Sequence, residues 1–341
     1  MERREFLRAA GISAAFAGTG LSVSWGEEVA AVAPAAEKTA PKWIFQGKTG
    51  DPKPLDWGKL PVEHMTTYSP DFADKNIWIR KDNQLLAAYR TGQNQKYPYV
   101  YPLAGPHSMV SVTAESCQPW PHHRSMFFGL DKVNGGNYWQ CTREDGQILS
   151  QNPQVTEATA TVAAWTDACL WGKPGAEPIL RDERRYRLEW RCDDYYVVDF
   201  SVKMLPLVDV TVLKTNHGFF GVRVSPELAP DGGGALLNSN GKSGQKATEG
   251  KAAKWCAYFG KRFFNAGITE GVAVLCPPKP FADCPWFTRD YGNISPMPFN
   301  YQPGPWVFKK DEPFEATYRT VVFAGTPADV DLDGLWKEIY G

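Results

Sequence analysis

Successive runs of β-branched and aromatic residues, separated by turn residues and uninterrupted by any helix-length amphipathic pattern, constrain the fold of this chain most. The run Tyr186 to Trp190 is the clearest, because apolar and charged residues alternate there with a period of two. Consecutive strands without intervening helices pair antiparallel and form a sandwich or a barrel. The sequence therefore predicts an all-β fold, an antiparallel β-sandwich. Similar runs begin at residues 158, 179, 195, 208, 219, 268 and 314.

Only the C-terminal segment, residues 326–341, has a helical pattern. Leu332, Leu335 and Trp336 recur at the spacing of one helix face, and an aspartate at position 329 or 331 can cap the first turn. Residues 229–253 are rich in Gly, Asn, Ser and Lys and predict a long loop, a feature that is usually functional or mobile in compact domains.

Composition excludes several classes of function. The 341 residues are 43% hydrophobic and 13% aromatic, which is enough to bury a large core. There are 37 Lys and Arg residues against 38 Asp and Glu residues, giving a formal net charge of -1. Because no long basic block is present either, we expect no nucleic-acid partner.

The N-terminal residues have the pattern of an export signal. Arg3 and Arg4 precede a mildly apolar stretch rich in Ala and Gly, which is typical of a twin-arginine signal, although Glu2 and Arg8 depart from the usual residues. The stretch is too short to span a membrane. We therefore predict export to the periplasm or beyond, with an uncleaved amphipathic anchor as the alternative. The predicted divisions are a signal peptide over residues 1–36, an irregular arm over 37–78 and the sandwich domain over 79–341.

The seven cysteines do not indicate a disulfide framework. Their number is odd and no CxxC pair occurs, so a cysteine zinc site is not predicted either. One bridge remains open, and Cys276 and Cys284 are the nearest pair in the sequence.

Two adjacent histidines stand out in the segment PWPHHRSMFF. If this segment is extended, His122 and Arg124 share one face and His123 points to the other. The pair is then a poor two-histidine metal site, so we predict no cofactor. We expect His122 to enter a groove and His123 to pack against the strand. A divalent metal held with a carboxylate by His107, His122 or His217 is the alternative.

Four segments, KYPYVYPLAGP, PWPHHRSMFFGLDKVNGGNYW, KAAKWCAYFG and PWFTRDYG, resemble in order the signatures of the PmoA-like family over about residues 80–325. The family name refers to a subunit of methane monooxygenase, an integral membrane enzyme. This chain has no apolar span of about 20 residues, which excludes methane oxidation. The resemblance implies a β-supersandwich similar to galactose mutarotases and other carbohydrate-active proteins, and a carbohydrate or other small molecule as partner.

The resemblance also implies a set of site residues. A sugar offers vicinal hydroxyls and an apolar ring face, which suit bidentate donors, a carboxylate and an aromatic platform. The matching positions are His122, His123, Arg124, Asn134, Trp255, Arg289, Asp290 and Tyr291.

Chemistry at a sugar carbon requires an acid and a base near neutral pH, a role that histidine with a carboxylate can fill. His122 is the first candidate, with Asp290, His217 or Glu249 of the predicted loop as its partner. We expect a carbohydrate-active enzyme that acts by hydrolysis, elimination or epimerisation. The alternatives are a non-catalytic carbohydrate-binding protein on the same sandwich and a metal-dependent enzyme.

Overall fold

The computed structural model describes the strand Thr66–Tyr68 and residues 76–341, except residues 141, 282 and 302. The chain divides into the units Met1–Gly58 and Lys59–Gly341, and all described residues belong to the second unit. The predicted signal peptide and most of the predicted arm therefore lie outside the described residues. The described residues of the predicted arm are not irregular. Thr66–Tyr68 forms a strand that pairs antiparallel with the strand beginning at Ile77, near the end of the arm.

Nineteen strands and three short α-helices are present in the described part of the chain. The helices are α1 (Gln245–Thr248), α2 (Pro298–Tyr301) and α3 (Leu332–Tyr340). In chain order the strands are β1 (Thr66–Tyr68), β2 (Ile77–Lys81), β3 (Gln84–Arg90), β4 (Tyr99–Leu103), β5 (Met126–Leu130), β6 (Gln147–Ser150), β7 (Gln154–Ala158), β8 (Val162–Gly172), β9 (Leu180–Cys192), β10 (Tyr195–Pro206), β11 (Val210–Val212), β12 (Gly218–Arg223), β13 (Ala235–Asn238), β14 (Trp255–Arg262), β15 (Asn265–Leu275), β16 (Trp286–Arg289), β17 (Asn293–Pro296), β18 (Trp306–Phe308) and β19 (Phe314–Ala324).

The strands form two large antiparallel sheets, as the sequence predicts. The first sheet has the order β1-β2-β3-β4-β5-β12-β17-β16. The second has the order β13-β14-β15-β19-β10-β9-β8-β6, with β7 also paired to β8. A small ladder joins β11 to β18. No described helix is both long and apolar enough to cross a membrane.

Aromatic rings fill the space between the two sheets. Phe128 of β5 lies 5.4 Å from Phe200 of β10, and Phe220 of β12 stacks on Tyr318 of β19 at 4.8 Å. Strands β5 and β12 are buried on both faces. Because successive side chains alternate between faces, the neighbour of Phe128, Phe127, lies on the outer face of the first sheet.

Alternation in β9 continues through charged residues. Tyr186 and Leu188 are buried, as predicted, but so are Asp182 and Arg184 on the same face. The guanidinium of Arg184 donates to both oxygens of Asp182, at 2.8 and 2.9 Å. The ion pair therefore satisfies the two charges inside the core.

The predicted C-terminal helix is confirmed as α3. Asp331 caps it by accepting a hydrogen bond from the backbone N–H of Gly334 at 2.8 Å. Leu332 and Leu335 pack into a second apolar cluster on the outer face of the second sheet. The predicted long loop 229–253 is more regular than expected, because β13 and α1 lie within it.

The described cysteines are free thiols, so no bridge joins Cys276 and Cys284. A hydrogen bond with Cys284, together with burial, raises the pKa of Cys276 well above its usual value. Both residues line a cavity of about 390 Å³ beside Trp336 of α3.

A buried carboxylate in β15 fastens the loop after β4 to the second sheet. Glu270 is fully buried and accepts hydrogen bonds from the backbone N–H groups of His107 and Ser108, at 3.0 and 2.9 Å, and from the Ser108 hydroxyl at 2.7 Å. Arg262 offsets its charge, with Nε 3.6 Å from Oε2. A Cβ on Gly105 would lie 2.1 Å from that same oxygen, so the approach requires glycine.

We expect Glu270→Ala to lower the free energy of unfolding by about 3–5 kcal/mol, because it leaves three donors of the loop without their acceptor and removes one of the two carboxylates that face the buried Arg262. The matched control is Glu315→Ala. Glu315 pairs with Lys203 at the surface, at 3.6 Å, and its loss should cost under about 1 kcal/mol. Urea denaturation of both variants measures the difference, and similar costs would contradict the assignment.

Candidate functional site

Three histidines from two separate loops meet on the outer face of the first sheet. His122 and His123 precede β5, and His217 precedes β12. The ring centroids of His122 and His123 lie 4.4 Å apart, and those of His122 and His217 lie 6.1 Å apart. One ring nitrogen of each residue lies within 4.8 Å of those of the other two, a spacing that can hold a metal ion. We call these three residues the histidine cluster.

The segment before β5 turns, so the extended conformation on which the opposite-face prediction depended is not found. The backbone N–H of His123 donates to the carbonyl of Trp120 at 3.1 Å, and the Tyr97 hydroxyl donates to the carbonyl of His122 at 2.5 Å. Pro121 has no N–H for a strand ladder, which favours departure from the sheet. As a result the rings of His122 and His123 meet edge to face on one side of the chain, at 71°.

Aromatic residues form the floor beneath the cluster. The rings of Phe127 and Trp139 lie 4.5 Å apart, and His123 packs against both, at 6.1 and 6.0 Å. Trp139 also lies 6.1 Å from His217. A Cβ on Gly221 would lie 3.1 Å from the Phe127 ring and 3.2 Å from the Trp139 ring, so its absence leaves room for this floor.

A buried carboxylate orients His217. Asp131 is 3% exposed, and its Oδ2 lies 3.2 Å from His217 Nδ1. The hydroxyl of Thr215 donates to the other oxygen of Asp131 and accepts a hydrogen bond from the backbone N–H of His217 at 3.0 Å. Nδ1 is therefore the ring nitrogen of His217 that faces the carboxylate, and Nε2 is free of that contact.

Burial keeps the other two histidines neutral at pH 7. Burial, followed by the neighbouring His217, lowers the pKa of His122 to about 4. Burial and the neighbouring His122 hold the pKa of His123 well below its usual value. His122 Nε2 and both ring nitrogens of His123 are buried and have no hydrogen-bond partner among the described residues. Each such group costs about 1–3 kcal/mol, so stability alone does not account for the cluster.

Arg223 adds a buried positive charge beside the cluster. It is 1% exposed, its Nη2 donates to the carbonyl of Gln118 at 2.9 Å, and its guanidinium lies 4.6 Å above the ring of Tyr291. Its Nε and Nη1 have no hydrogen-bond partner in the described part of the chain. Carboxylates pair, by contrast, with the other buried arginines, Arg184, Arg262 and Arg319.

Tyr291 lies between the histidine cluster and the ion pair of Arg289 with Glu249. Its ring stacks on His123 at 6.1 Å, and burial raises its pKa to about 12. Nearby, Arg289 Nη1 lies 2.6 Å from Glu249 Oε2, and the Tyr301 hydroxyl donates to the other oxygen of Glu249. The structure therefore brings six of the predicted residues into one region, namely His122, His123, His217, Tyr291, Arg289 and Glu249.

Two predicted binding residues serve the fold instead. Asn134 closes a turn, because its Nδ2 donates to the carbonyl of Asp209 at 2.9 Å and its Oδ1 accepts from the N–H of Thr211 at 2.8 Å. Trp255 belongs to the apolar cluster beneath α3, where its Nε1 donates to Asp333 at 3.3 Å. Neither side chain contacts the histidine cluster.

Asp290 is not the carboxylate partner of His122. Its Oδ1 accepts a hydrogen bond from the backbone N–H of Gln245 at 2.9 Å, which fixes the start of α1. Arg124 donates a hydrogen bond to the carbonyl of Glu115 at 3.3 Å. It affects His122 only through its positive charge, which together with burial lowers the pKa of His122.

The sequence analysis missed Asp131, Arg223 and Trp139. Asp131 meets His217 because β5 pairs with β12, and its N–H donates to the His217 carbonyl at 3.0 Å. Local sequence carries no signal for that pairing. His107, a predicted metal ligand, instead pairs with Asp194 at the surface, at 2.9 Å.

Residues 76–337 match DUF6807, a family of unknown function. Among solved structures, the galactose 1-epimerase from Lactobacillus acidophilus NCFM is similar, with 8% identity, coverage of 78% of this chain and 100% of that chain, and a TM-score of 0.40. A putative aldose 1-epimerase from Escherichia coli K12 has 9% identity, coverage of 77% and 99%, and a TM-score of 0.31. A putative kojibiose phosphorylase from the human microbiome has 7% identity, coverage of 82% and 35%, and a TM-score of 0.30. No curated protein matches the sequence.

We expect the free energy of unfolding to fall as the pH is lowered from about 6.5 towards 4. Histidines of the unfolded chain bind protons near their usual pKa of about 6.5, whereas His122 stays neutral in the folded protein until about pH 4. The unfolded state then binds more protons and is favoured across this interval. Urea denaturation at pH 7 and 5, with a chelator present, measures the loss. His123→Leu removes one such group, so an unchanged pH dependence in this variant would contradict the explanation.

Proposed function

The chain belongs to the DUF6807 family, and we propose that it is a carbohydrate-active enzyme whose reaction centre is the histidine cluster. The observation that carries this proposal is the contact of the buried Asp131 with the half-buried His217, at 3.2 Å, beside the neutral ring of His122. An imidazole oriented by a carboxylate is suited to proton transfer near pH 7.

The surroundings of the cluster suit a sugar. Trp120 is 47% exposed and lies 6.0 Å from His122, so its ring offers a platform for the apolar face of a pyranose. Arg289, which Glu249 holds beside Tyr291, supplies a donor for the hydroxyls of a sugar. An aromatic face with a few convergent polar groups is typical of a small-molecule site.

The state of the carboxylates favours epimerisation or elimination over hydrolysis. Glycoside hydrolysis ordinarily uses two carboxyl groups, one as acid and one as base or nucleophile. Here Asp131 is engaged by His217 and Thr215, and Glu249 is engaged by Arg289 and Tyr301. We therefore assign the proton acceptor of the reaction to the histidine cluster.

Export remains part of the proposal and rests on Arg3 and Arg4 before a weakly apolar stretch. A reporter fused to residues 1–40 should reach the periplasm through the twin-arginine route. Replacing both arginines with lysine should block this export, and equal export by the lysine variant would overturn the assignment.

We expect Asp131→Asn to lower kcat by about 10²–10³-fold with a smaller change in KM, because the amide no longer holds His217 in the same tautomer. The measurement follows exchange of C–H protons in D₂O by NMR over a panel of aldoses, uronates and their glycosides. Asp194→Asn is the matched control, because Asp194 pairs with His107 at the exposed surface.

Three outcomes of this experiment are informative. Loss of turnover in Asp131→Asn alone supports the proposal. Binding of a sugar by the wild-type protein without turnover or exchange would make the protein a carbohydrate-binding protein. Equal losses in both variants, or no sugar binding at all, would overturn the proposed site.

A further inference from the structure

We propose that His122, His123 and His217 together bind one divalent transition-metal ion, with Asp131 orienting His217 from behind. This inference goes beyond the proposed function, because metal binding rests on the geometry of the cluster and does not require a sugar. Only the catalytic role given to the metal below rests on the proposed function.

The spacing of the ring nitrogens fits a single ion after a small adjustment. One nitrogen from each histidine lies within 4.8 Å of the other two. Zinc–nitrogen bonds of about 2.0–2.1 Å place tetrahedral ligand atoms roughly 3.4 Å apart. Rotation of the side chains by about 1 Å at the nitrogen atoms would therefore close the site.

The unpartnered nitrogens are the second, independent observation. His123 is 1% exposed, yet neither of its ring nitrogens has a hydrogen-bond partner among the described residues, and Nε2 of His122 is also buried and unpartnered. Buried polar atoms in native proteins nearly always have a partner. A metal ion between the three rings would give one nitrogen of each ring a partner.

The environment of His217 has the form of a metal ligand's outer shell. Its Nδ1 faces Asp131 at 3.2 Å, and Thr215 holds the same carboxylate. Metal-bound histidines commonly donate their second N–H to a carboxylate, which fixes the ring and makes the ligand nitrogen more basic. Nε2 of His217 is thus the atom assigned to the metal.

The ligand set selects the class of metal. Three imidazole ligands suit Zn²⁺, Co²⁺, Ni²⁺ or Cu²⁺, whereas Mg²⁺ and Ca²⁺ prefer oxygen ligands. Three protein ligands also leave a fourth position open, as in catalytic zinc sites. Arg223 lies over the Tyr291 ring that stacks on His123, and its positive charge favours an anionic ligand beside the cluster.

The open position gives the metal a role in the proposed reaction. A metal ion held by the three histidines would lower the pKa of a water at that position and would supply a base near neutral pH. That base would then be the proton acceptor that we assigned to the cluster, and the three imidazoles would be its ligands.

The test uses the full protein, freed of metal by a chelator and titrated with Zn²⁺ by calorimetry and with Co²⁺ by visible absorption. We expect one equivalent per chain and cobalt bands of tetrahedral intensity. His217→Gln and His123→Leu should each weaken zinc binding at least about 10²-fold, and Asp131→Asn by about 10–100-fold. His107→Ala is the matched control and should bind zinc as the wild type does, because His107 lies outside the cluster.

Circular dichroism and urea midpoints of the metal-free variants show whether they fold. Two ligand variants, His217→Gln and His123→Leu, are used so that the test still holds if one of them does not fold. Binding of less than half an equivalent by the wild type, or wild-type affinity in His217→Gln, would overturn the metal site. Proton exchange on sugars without metal binding would leave the proposed function standing and the metal site refuted. Metal binding without any sugar turnover would support the metal site and refute the proposed enzymatic function.

Discussion

The site depends on a strand that is buried on both of its faces. In β5, Phe128 points into the space between the sheets and Phe127 points outward, and both rings are almost fully covered. The outer face of the first sheet therefore needs an apolar cover. His123 and Trp139 provide it by packing on Phe127. The residues assigned to chemistry thus also act as core residues, which fixes their positions.

This double role has a cost in stability. The described structure pairs Arg184, Arg262 and Arg319 with carboxylates, but it gives Arg223 no carboxylate and leaves both ring nitrogens of His123 unpartnered. Polar groups of this kind are tolerated where function requires them and compensated elsewhere in the fold. The aromatic layer of Phe128, Phe200, Phe220 and Tyr318 is one such compensation.

Local patterns predicted the local structure well. The period of two in β9 and the apolar face of α3 were readable from neighbouring residues, and the cap of α3 was narrowed to two aspartates, of which the structure uses Asp331. The sequence also identified the histidines as site candidates, but it placed His122 and His123 on opposite faces. That placement assumed an extended segment, and the local residues did not show that the backbone turns there. The Asp131–His217 contact was not predictable, because it depends on the pairing of β5 with β12, which are far apart in the chain. Trp255 was misassigned because an aromatic residue suits a core and a sugar platform equally well.

The place of β19 in the second sheet determines the order of events during synthesis. It lies between β15 and β10, and Tyr195 pairs with Phe323 across a long stretch of chain. The two halves of this sheet therefore cannot join until the final strand has left the ribosome, and closing so long a loop slows folding. A nascent or truncated chain that lacks β19 presents two open strand edges, β10 and β15, which are templates for pairing between molecules.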